Sequence, residues 1–188
     1  MASEEKILRA AKELIWAQGL RKVSVEEICE RAGVSKMTFY RKFENKEKLA
    51  LLVFQKHVER SIAEYRSFMD ARISFSEKME SFVRFKLREA SQASKALLQD
   101  VVSEKFPALQ AYNGKISKEN EEMFLSDLRA AQERGEIRKE IRLEFVQDVL
   151  HFLQEKATDE KFLSRYATIE EATQEVINYL LYGLFPVR

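Results

Sequence analysis

Residues 24–43 read SVEEICERAGVSKMTFYRKF, which has the form of a helix, a tight glycine turn and a second helix. Ser24 and Glu27 have the spacing of a capping box, which starts a helix. Gly33 tolerates the left-handed conformation that ends this helix, and Ser35 can cap the next one. So short a turn lets the two helices pack their apolar residues together, namely Val25, Ile28 and Cys29 against Val34, Phe39 and Phe43. The stretch therefore predicts a helix-turn-helix motif, whose second helix enters the major groove of DNA.

The outer face of the second helix carries side chains that suit DNA. Lys and Arg bind guanine O6 and N7 or phosphate, hydroxyl groups bind phosphate, and a methionine can contact a thymine methyl group. Lys46 and Lys48 extend the basic cluster beyond this helix. On charge alone, a solvated helix face is an equally good interpretation. The residues predicted to point outward are Lys36, Met37, Thr38, Tyr40, Arg41 and Lys42.

The composition disfavours several other classes of protein. The chain has 188 residues, of which 45% are hydrophobic and 34% are charged, as is typical of a folded globular protein. The single cysteine, Cys29, cannot form an internal disulfide, so we expect a reducing compartment, the cytoplasm. No apolar run approaches the roughly 18–20 residues that span a bilayer, so we expect no membrane association. A net charge of +1 excludes binding to nucleic acid by bulk charge alone, although residues 1–46 hold ten Lys and Arg against seven Glu.

Helical spacing predicts an all-α fold along the whole chain. The motif supplies the second and third helices of a three-helix N-terminal domain. Asn45 is expected to cap a long fourth helix. The Phe106-Pro107 pair is expected to interrupt a short helix over residues 94–104, and Tyr112-Asn113-Gly114 is interpreted as a loop. Further helices are predicted to begin near residues 74, 117, 143 and 168. We place the domain boundary inside the fourth helix, with a DNA-binding domain in residues 1–48 and a regulatory and dimerisation domain in residues 49–188.

Residues 7–49 read ILRAAKELIWAQGLRKVSVEEICERAGVSKMTFYRKFENKEKL, and this stretch resembles the DNA-binding domain of the tetracycline-repressor (TetR) family of bacterial regulators. The remaining residues resemble the family in length, in their helical pattern and in an apolar closing helix. The positions that carry the resemblance are Gly19, Ser24-Val25, Ile28, Ala32-Gly33-Val34-Ser35, Phe39-Tyr40, Phe43, Asn45-Lys46 and Leu49.

The resemblance implies a role for each residue of the DNA-binding face. Family members contact base edges where Lys36, Met37 and Lys42 stand in this sequence. They contact the sugar-phosphate backbone where Ser24, Thr38 and Tyr40 stand, and Lys46, in the first turn of the fourth helix, is expected to bind a phosphate. Arg41 can read a base, hold a phosphate or remain solvated. The family often has Gly or Pro at the Met37 position, which leaves the base sequence of the operator open.

A single motif offers few base contacts, so we expect a homodimer that reads a palindromic operator. Two copies of the last two apolar helices can form a four-helix bundle between subunits. The alternative is that both helices belong to the internal core of one subunit. The residues predicted for the dimer interface are Val146, Val149, Leu150, Leu153, Val176, Ile177, Leu180 and Leu184.

The resemblance also implies a small-molecule effector that binds the C-terminal domain and releases a repressor from its operator. Such a ligand must bind the DNA-incompetent state more tightly than the competent one. Aromatic residues suit an apolar or aromatic ligand, with His57 and Asn120 as polar anchors. A ligand-independent architectural or scaffold protein that acts through a protein partner remains the alternative. The residues predicted to line the site are Phe54, His57, Phe82, Phe85, Tyr112, Asn120, Met123 and Phe124.

The sequence predicts neither an enzyme nor a metalloprotein. We find no catalytic triad order, no glycine-rich phosphate loop and no plausible carboxylate pair, so we expect no catalytic residue and no cofactor. His57 and His151 lack the spacing of metal ligands, so we expect no metal site. Cys29 lies on the inner face of its helix and is predicted to be a small buried apolar residue rather than a redox sensor. An enzyme or a carrier with a vestigial motif is the remaining alternative.

Overall fold

The computed structural model describes residues 2–184, except for the side chains of Ala157 and of residues 180–184. Over these residues the chain forms ten helices and no strand, which confirms the all-α fold. The helices are α1 (Ser3–Gln18), α2 (Val25–Ala32), α3 (Lys36–Lys42), α4 (Lys46–Met69), α5 (Phe75–Gln92), α6 (Lys95–Val101), α7 (Pro107–Glu133), α8 (Leu143–Thr158), α9 (Glu160–Leu163) and α10 (Ile169–Leu184).

The turn between α2 and α3 has the predicted geometry. The Ser24 side chain accepts a hydrogen bond from Glu27 N, and Glu27 Oε2 accepts one from Ser24 N at 2.7 Å, so the capping box is complete. Gly33 has φ 65° and ψ 42°, the left-handed conformation that closes a helix. Ser35 then caps α3 by accepting a hydrogen bond from Thr38 N at 3.1 Å. The sequence thus sets the start and the end of α2 and the start of α3.

Of the described residues, 2–63 and 92–113 form one compact unit. Its core combines α1 and the two helices of the motif, with Ile7, Ile28, Phe39 and Leu49 fully buried. Helix α6 and the start of α7 join the same core through Leu97, Val101 and Leu109. The packing predicted for the motif is therefore present, and part of the second half of the chain packs with it. A domain boundary between residues 48 and 49 remains a prediction.

Polar contacts fix α6 to the end of α1. Ser94 N donates a hydrogen bond to Trp16 O at 3.0 Å, next to the start of α6. Near the other end of α6, the buried Asp100 carboxylate accepts a hydrogen bond from Arg21 N at 2.9 Å. The predicted short helix in this region ends at Val101 rather than at residue 104.

The interpretation of Tyr112-Asn113-Gly114 as a loop was wrong, because α7 runs through these residues without a break. Pro107 stands at the first position of α7. An N–H group at this position has no acceptor within the helix, so proline loses no hydrogen bond there, and its fixed φ suits a helix. Gly114 lies inside the helix, and no atom comes within 4 Å of the position that a Cβ would take there. A single glycine costs a helix only about 1 kcal/mol relative to alanine, which the other turns of this long helix offset.

Of the described residues, 64–91 and 114–184 form the second compact unit. Ser74 and Glu77 form a capping box at the start of α5, where the sequence predicts that a helix begins. Helix α7 ends at Glu133, two residues before Gly135. The short helix α9, capped by Asp159, was not predicted. The core of this unit is formed by Phe75, Met79, Leu128, Ala131, Ile137 and Val146.

Candidate nucleic-acid interface

Helix α3 presents its polar face to solvent. Phe39 is fully buried and anchors the helix, while Met37 is 80% exposed and Tyr40 is 56% exposed. Lys36, Arg41 and Lys42 are also exposed, and Thr38 is half-buried. A large apolar side chain as exposed as Met37 adds nothing to the interior of the protein, so this face is available for a partner.

Two of the basic side chains on α3 are paired with carboxylates. Lys36 Nζ donates a hydrogen bond to Glu26 Oε1 on α2. Lys42 Nζ lies 3.6 Å from Glu4 Oε2 on α1. The hydrogen bond from Lys36 lowers the pKa of Glu26, and the same bond raises the pKa of Lys36, so both groups are charged at neutral pH. Arg41 makes no ion pair with any residue that the structure describes.

Two of the hydroxyl groups predicted to contact the DNA backbone, those of Ser24 and Thr38, already have partners in the protein. The Ser24 hydroxyl donates to Glu27 Oε2 at 2.7 Å. These hydrogen bonds from Ser24 lower the pKa of Glu27. The hydroxyl groups of Ser35 and Thr38 are hydrogen-bonded to each other at 3.1 Å. A phosphate can accept a hydrogen bond from Ser24 only when its hydroxyl rotates away from Glu27 Oε2.

Lys46 has a role that the sequence did not predict. Its ammonium group donates to Leu20 O at 2.9 Å and to Val23 O at 2.8 Å. The side chain therefore ties the first turn of α4 to the segment between α1 and α2. Two of the three N–H groups of the ammonium are directed at the protein, so one remains for the expected phosphate contact, which stays a prediction.

Cys29 is buried on the inner face of α2, and its burial raises the pKa of the thiol. A thiol with a raised pKa is mostly protonated at neutral pH and reacts slowly with oxidants. The position fits the apolar role that the sequence predicts.

The residues predicted to line a ligand site lie in both compact units. In the first unit, the rings of Phe54 and Tyr112 are 6.2 Å apart, and the His57 ring packs edge-on against Trp16 at 4.8 Å. The other predicted residues are in the second unit, where Asn120 and Met123 are half-buried on α7.

The second unit contains an aromatic cluster, and the sequence predicted only some of its residues. Phe82 and Phe124 are stacked with centroids 5.4 Å apart. The Tyr65 ring contacts Phe82 at 5.7 Å, and its hydroxyl donates to Asp127 Oδ2 at 2.6 Å. Burial, together with this bond to a carboxylate, raises the pKa of Tyr65, so its hydroxyl stays protonated. Phe85, which was predicted to line the ligand site, joins the same cluster through its contact with Phe68. Phe68 and Tyr65 were not among the predicted residues.

The faces of α8 and α10 differ from the predicted dimer interface. Val146 and Ile177 are buried inside the subunit, so these two side chains have no surface to offer a second copy. Val149, Leu150, Leu153 and Val176 are half-buried. Leu180 and Leu184 have side chains that lie outside the described residues. The exposed apolar side chains that the sequence reading missed are Phe145, Phe152 and Tyr179.

Helical spacing contained the signal for two of these missed residues. Phe145 and Phe152 are seven residues apart and therefore lie on the same face of α8. Phe152 and Tyr179 also line a groove of about 640 Å³ in the second unit, together with Val149, Leu153 and Val176. Among helices of residues 2–184, none combines the length and the apolar character that a membrane span requires.

Known proteins resemble the chain in sequence and in fold. Residues 7–53 match the family model described as bacterial regulatory proteins, tetR family. The HTH-type transcriptional regulator UidR of Escherichia coli (strain K12) is 29% identical over 139 residues, which are 72% of this chain and 69% of that protein. The fatty acid degradation regulator FadR from Bacillus halodurans has a TM-score of 0.74 and 22% identity, over 97% of this chain and 96% of that one. FadR from Bacillus subtilis in complex with stearoyl-CoA has a TM-score of 0.70 and 19% identity, over 95% and 98% of the two chains.

The exposed recognition helix α3, set on an all-helical scaffold, defines a DNA-binding transcriptional regulator. Residues 7–53 form a DNA-binding domain of the TetR family of bacterial regulators. This family consists of transcriptional regulators rather than enzymes. TetR regulators bind DNA, act as dimers and bind small-molecule ligands.

Proposed function

We propose that the protein is a homodimeric repressor that binds a palindromic operator through α3 and leaves it when a small molecule binds. The exposed face of α3 carries this proposal, because Met37, Tyr40 and Arg41 are held outward by the buried Phe39. A bacterial operator lies in the cytoplasm, so we also assign the protein to that compartment.

The side chains of α3 divide into two kinds of contact. Lys36 and Lys42 carry ammonium groups that bind guanine O6 and N7, and Met37 can pack against a thymine methyl group. Tyr40, Thr38 and Ser24 carry hydroxyl groups for the phosphate backbone. Arg41 makes no ion pair among the residues described, so its guanidinium is available to a phosphate without the loss of an internal contact.

A second copy is needed to double the number of base contacts. Each bidentate base contact discriminates by only about 1–3 kcal/mol, so one α3 helix cannot select a single site in a genome. Phe145, Phe152 and Tyr179 support a dimer through α8 and α10, because they expose apolar rings that a partner subunit can cover.

The aromatic cluster of the second unit supports an apolar effector. Tyr65, Phe82 and Phe124 come from α4, α5 and α7, so a ligand that separates these rings must move the helices that carry them. The stearoyl-CoA bound by the Bacillus subtilis neighbour is an example of a ligand with a long apolar part. We propose an effector with an apolar or aromatic body, whose identity a thermal-shift screen of such compounds will test.

The DNA-binding function is tested by selection from a random pool of duplexes, followed by gel shifts on the selected operator and on random DNA. Tyr40→Phe should weaken binding to both duplexes, because it removes a phosphate contact. Lys36→Ala should relax the preference at one base position in each half-site. A wild-type protein that selects no sequence, or whose DNA binding does not fall as salt rises, would overturn the proposal.

A further inference from the structure

Glu26 lies beside Lys36, one of the residues proposed to bind DNA, without being one of those residues itself. It occupies the first turn of α2, and the capping box of Ser24 and Glu27 holds that turn in place. Its carboxylate accepts the hydrogen bond from Lys36 across the turn, and both side chains remain more than half exposed. A negative charge therefore stands at the place where a DNA duplex must approach.

This pair leaves Lys36 only part of its bonding capacity. An ammonium group has three N–H donors, and the Glu26 carboxylate occupies one of them. The remaining donors can reach the O6 and N7 acceptors of a guanine while the bond to Glu26 is kept. In that arrangement Glu26 also restricts the rotamers of a side chain that otherwise loses much conformational entropy on binding.

A phosphate contact has the opposite effect on the pair. To follow the DNA backbone, Lys36 must turn away from Glu26, which leaves the carboxylate without its counter-charge. The carboxylate then faces the negative phosphates and repels them. Arg41 provides the contrast, because it has no carboxylate partner among the described residues and meets no such penalty.

We propose that Glu26 is a specificity-determining residue, which directs Lys36 toward a base edge and penalises its contact with phosphate. The inference rests on the proposed function, in which Lys36 reads a base. Under this proposal, the preference of the protein for its operator over random DNA depends on Glu26, an acidic residue that contacts neither of the two duplexes.

The test compares dissociation constants for the selected operator and for a random duplex of the same length, at several salt concentrations. Glu26→Gln should bind random DNA about two- to five-fold more tightly, the range expected when an exposed ion pair is removed. It should bind the operator less tightly than the wild type does. The ratio of the two affinities, which measures specificity, should therefore fall.

Glu30→Gln is the matched control. Glu30 is an exposed residue of the same helix and makes no ion pair with the described residues, so its substitution changes the net charge equally. It should tighten binding to both duplexes by a similar small factor. If Glu26→Gln behaves in the same way, Glu26 contributes only bulk charge and the inference is wrong.

A double-mutant cycle separates this inference from the function on which it rests. In a Lys36→Ala background, Glu26→Gln should no longer change the affinity ratio, because the residue that it directs is gone. A change in the ratio that persists in this background would overturn the inference and leave DNA binding intact. A wild-type protein with no sequence preference would instead overturn the proposed function. Unfolding midpoints close to that of the wild type will show that the variants are folded.

Discussion

Asp100 and Arg21 join helix α6 to the segment between α1 and α2. The Asp100 carboxylate accepts a hydrogen bond from Arg21 N at 2.9 Å, and an Arg21 guanidinium nitrogen lies 3.4 Å from its other oxygen. Asp100 is 3% exposed, whereas the Arg21 side chain is 54% exposed. The bond to the backbone is therefore the buried part of this contact, and the ion pair is the exposed part.

We expect Asp100→Ala to lower the free energy of unfolding by about 1–3 kcal/mol, because it leaves the Arg21 N–H without an acceptor. Arg21→Ala keeps that N–H and removes only the exposed ion pair, which is worth about 0–1 kcal/mol. Urea unfolding of both variants measures the difference. Equal losses in the two variants would show that the ion pair, rather than the backbone hydrogen bond, holds α6 to this segment.

Lys46→Met should destabilise the protein by about 1–3 kcal/mol, because Leu20 O and Val23 O lose the donor that they share. Lys48→Met removes the same charge from a residue two positions further along the same turn. Among the described residues, the Lys48 ammonium pairs only with the exposed Glu44, so this change should have little effect on stability. Urea unfolding of the two variants is the measurement. If Lys46→Met unfolds like the wild type and loses affinity for random DNA, the phosphate role expected from the sequence is correct.

Local sequence signals were sufficient to predict the helix-turn-helix motif. Contacts between residues far apart in the sequence could not be predicted. The capping residues Ser24, Ser35 and Ser74 each bond to a group three residues ahead, so the sequence pattern itself contains both partners. The bond between Asp100 and Arg21 joins residues 79 positions apart, and no periodicity indicates such a pair. Lys46 illustrates the same limit, because its position in a helix predicts a phosphate contact while its actual acceptors lie 23 and 26 residues earlier.

The predicted loop within α7 was wrong, and the predicted dimer face of α8 included a core residue, for a related reason. Gly114 is typical of a turn in the sequence, but it lies within the long helix that begins at Pro107. The apolar residues of α8 were assigned together to a dimer face, whereas the structure divides them between the core and the surface. Val146 is packed against the core of the second unit and Phe152 is exposed, a distinction that depends on which neighbouring helices cover each face.

Gly33→Ala and Gly114→Ala should change stability in opposite directions. The left-handed φ of 65° at Gly33 costs a residue with a Cβ about 1–2 kcal/mol, although no atom obstructs the Cβ itself. Gly114 lies within a helix and also has open space around it, so alanine there should stabilise the protein by about 0.5–1 kcal/mol. Thermal unfolding checks both signs. A stabilising Gly33→Ala would be inconsistent with the left-handed turn.

Phe152→Glu should shift the protein from dimer to monomer, because it places a charge on the exposed apolar face of α8, where a second copy is proposed to pack. The subunit should remain folded, since the side chain is 55% exposed and contributes little to the core. Operator affinity should fall more than affinity for random DNA, as a monomer reads only one half-site. Light scattering and gel shifts measure these effects.

Val146→Glu is the contrasting variant for this interface. Val146 is 3% exposed within the core of the second unit, so a carboxylate there must be buried without a partner and should unfold the subunit. Circular dichroism at low temperature will distinguish this loss of structure from the clean dissociation expected for Phe152→Glu. If the Phe152→Glu protein remains a dimer while Val146→Glu unfolds, the two copies associate through a surface other than the exposed face of α8.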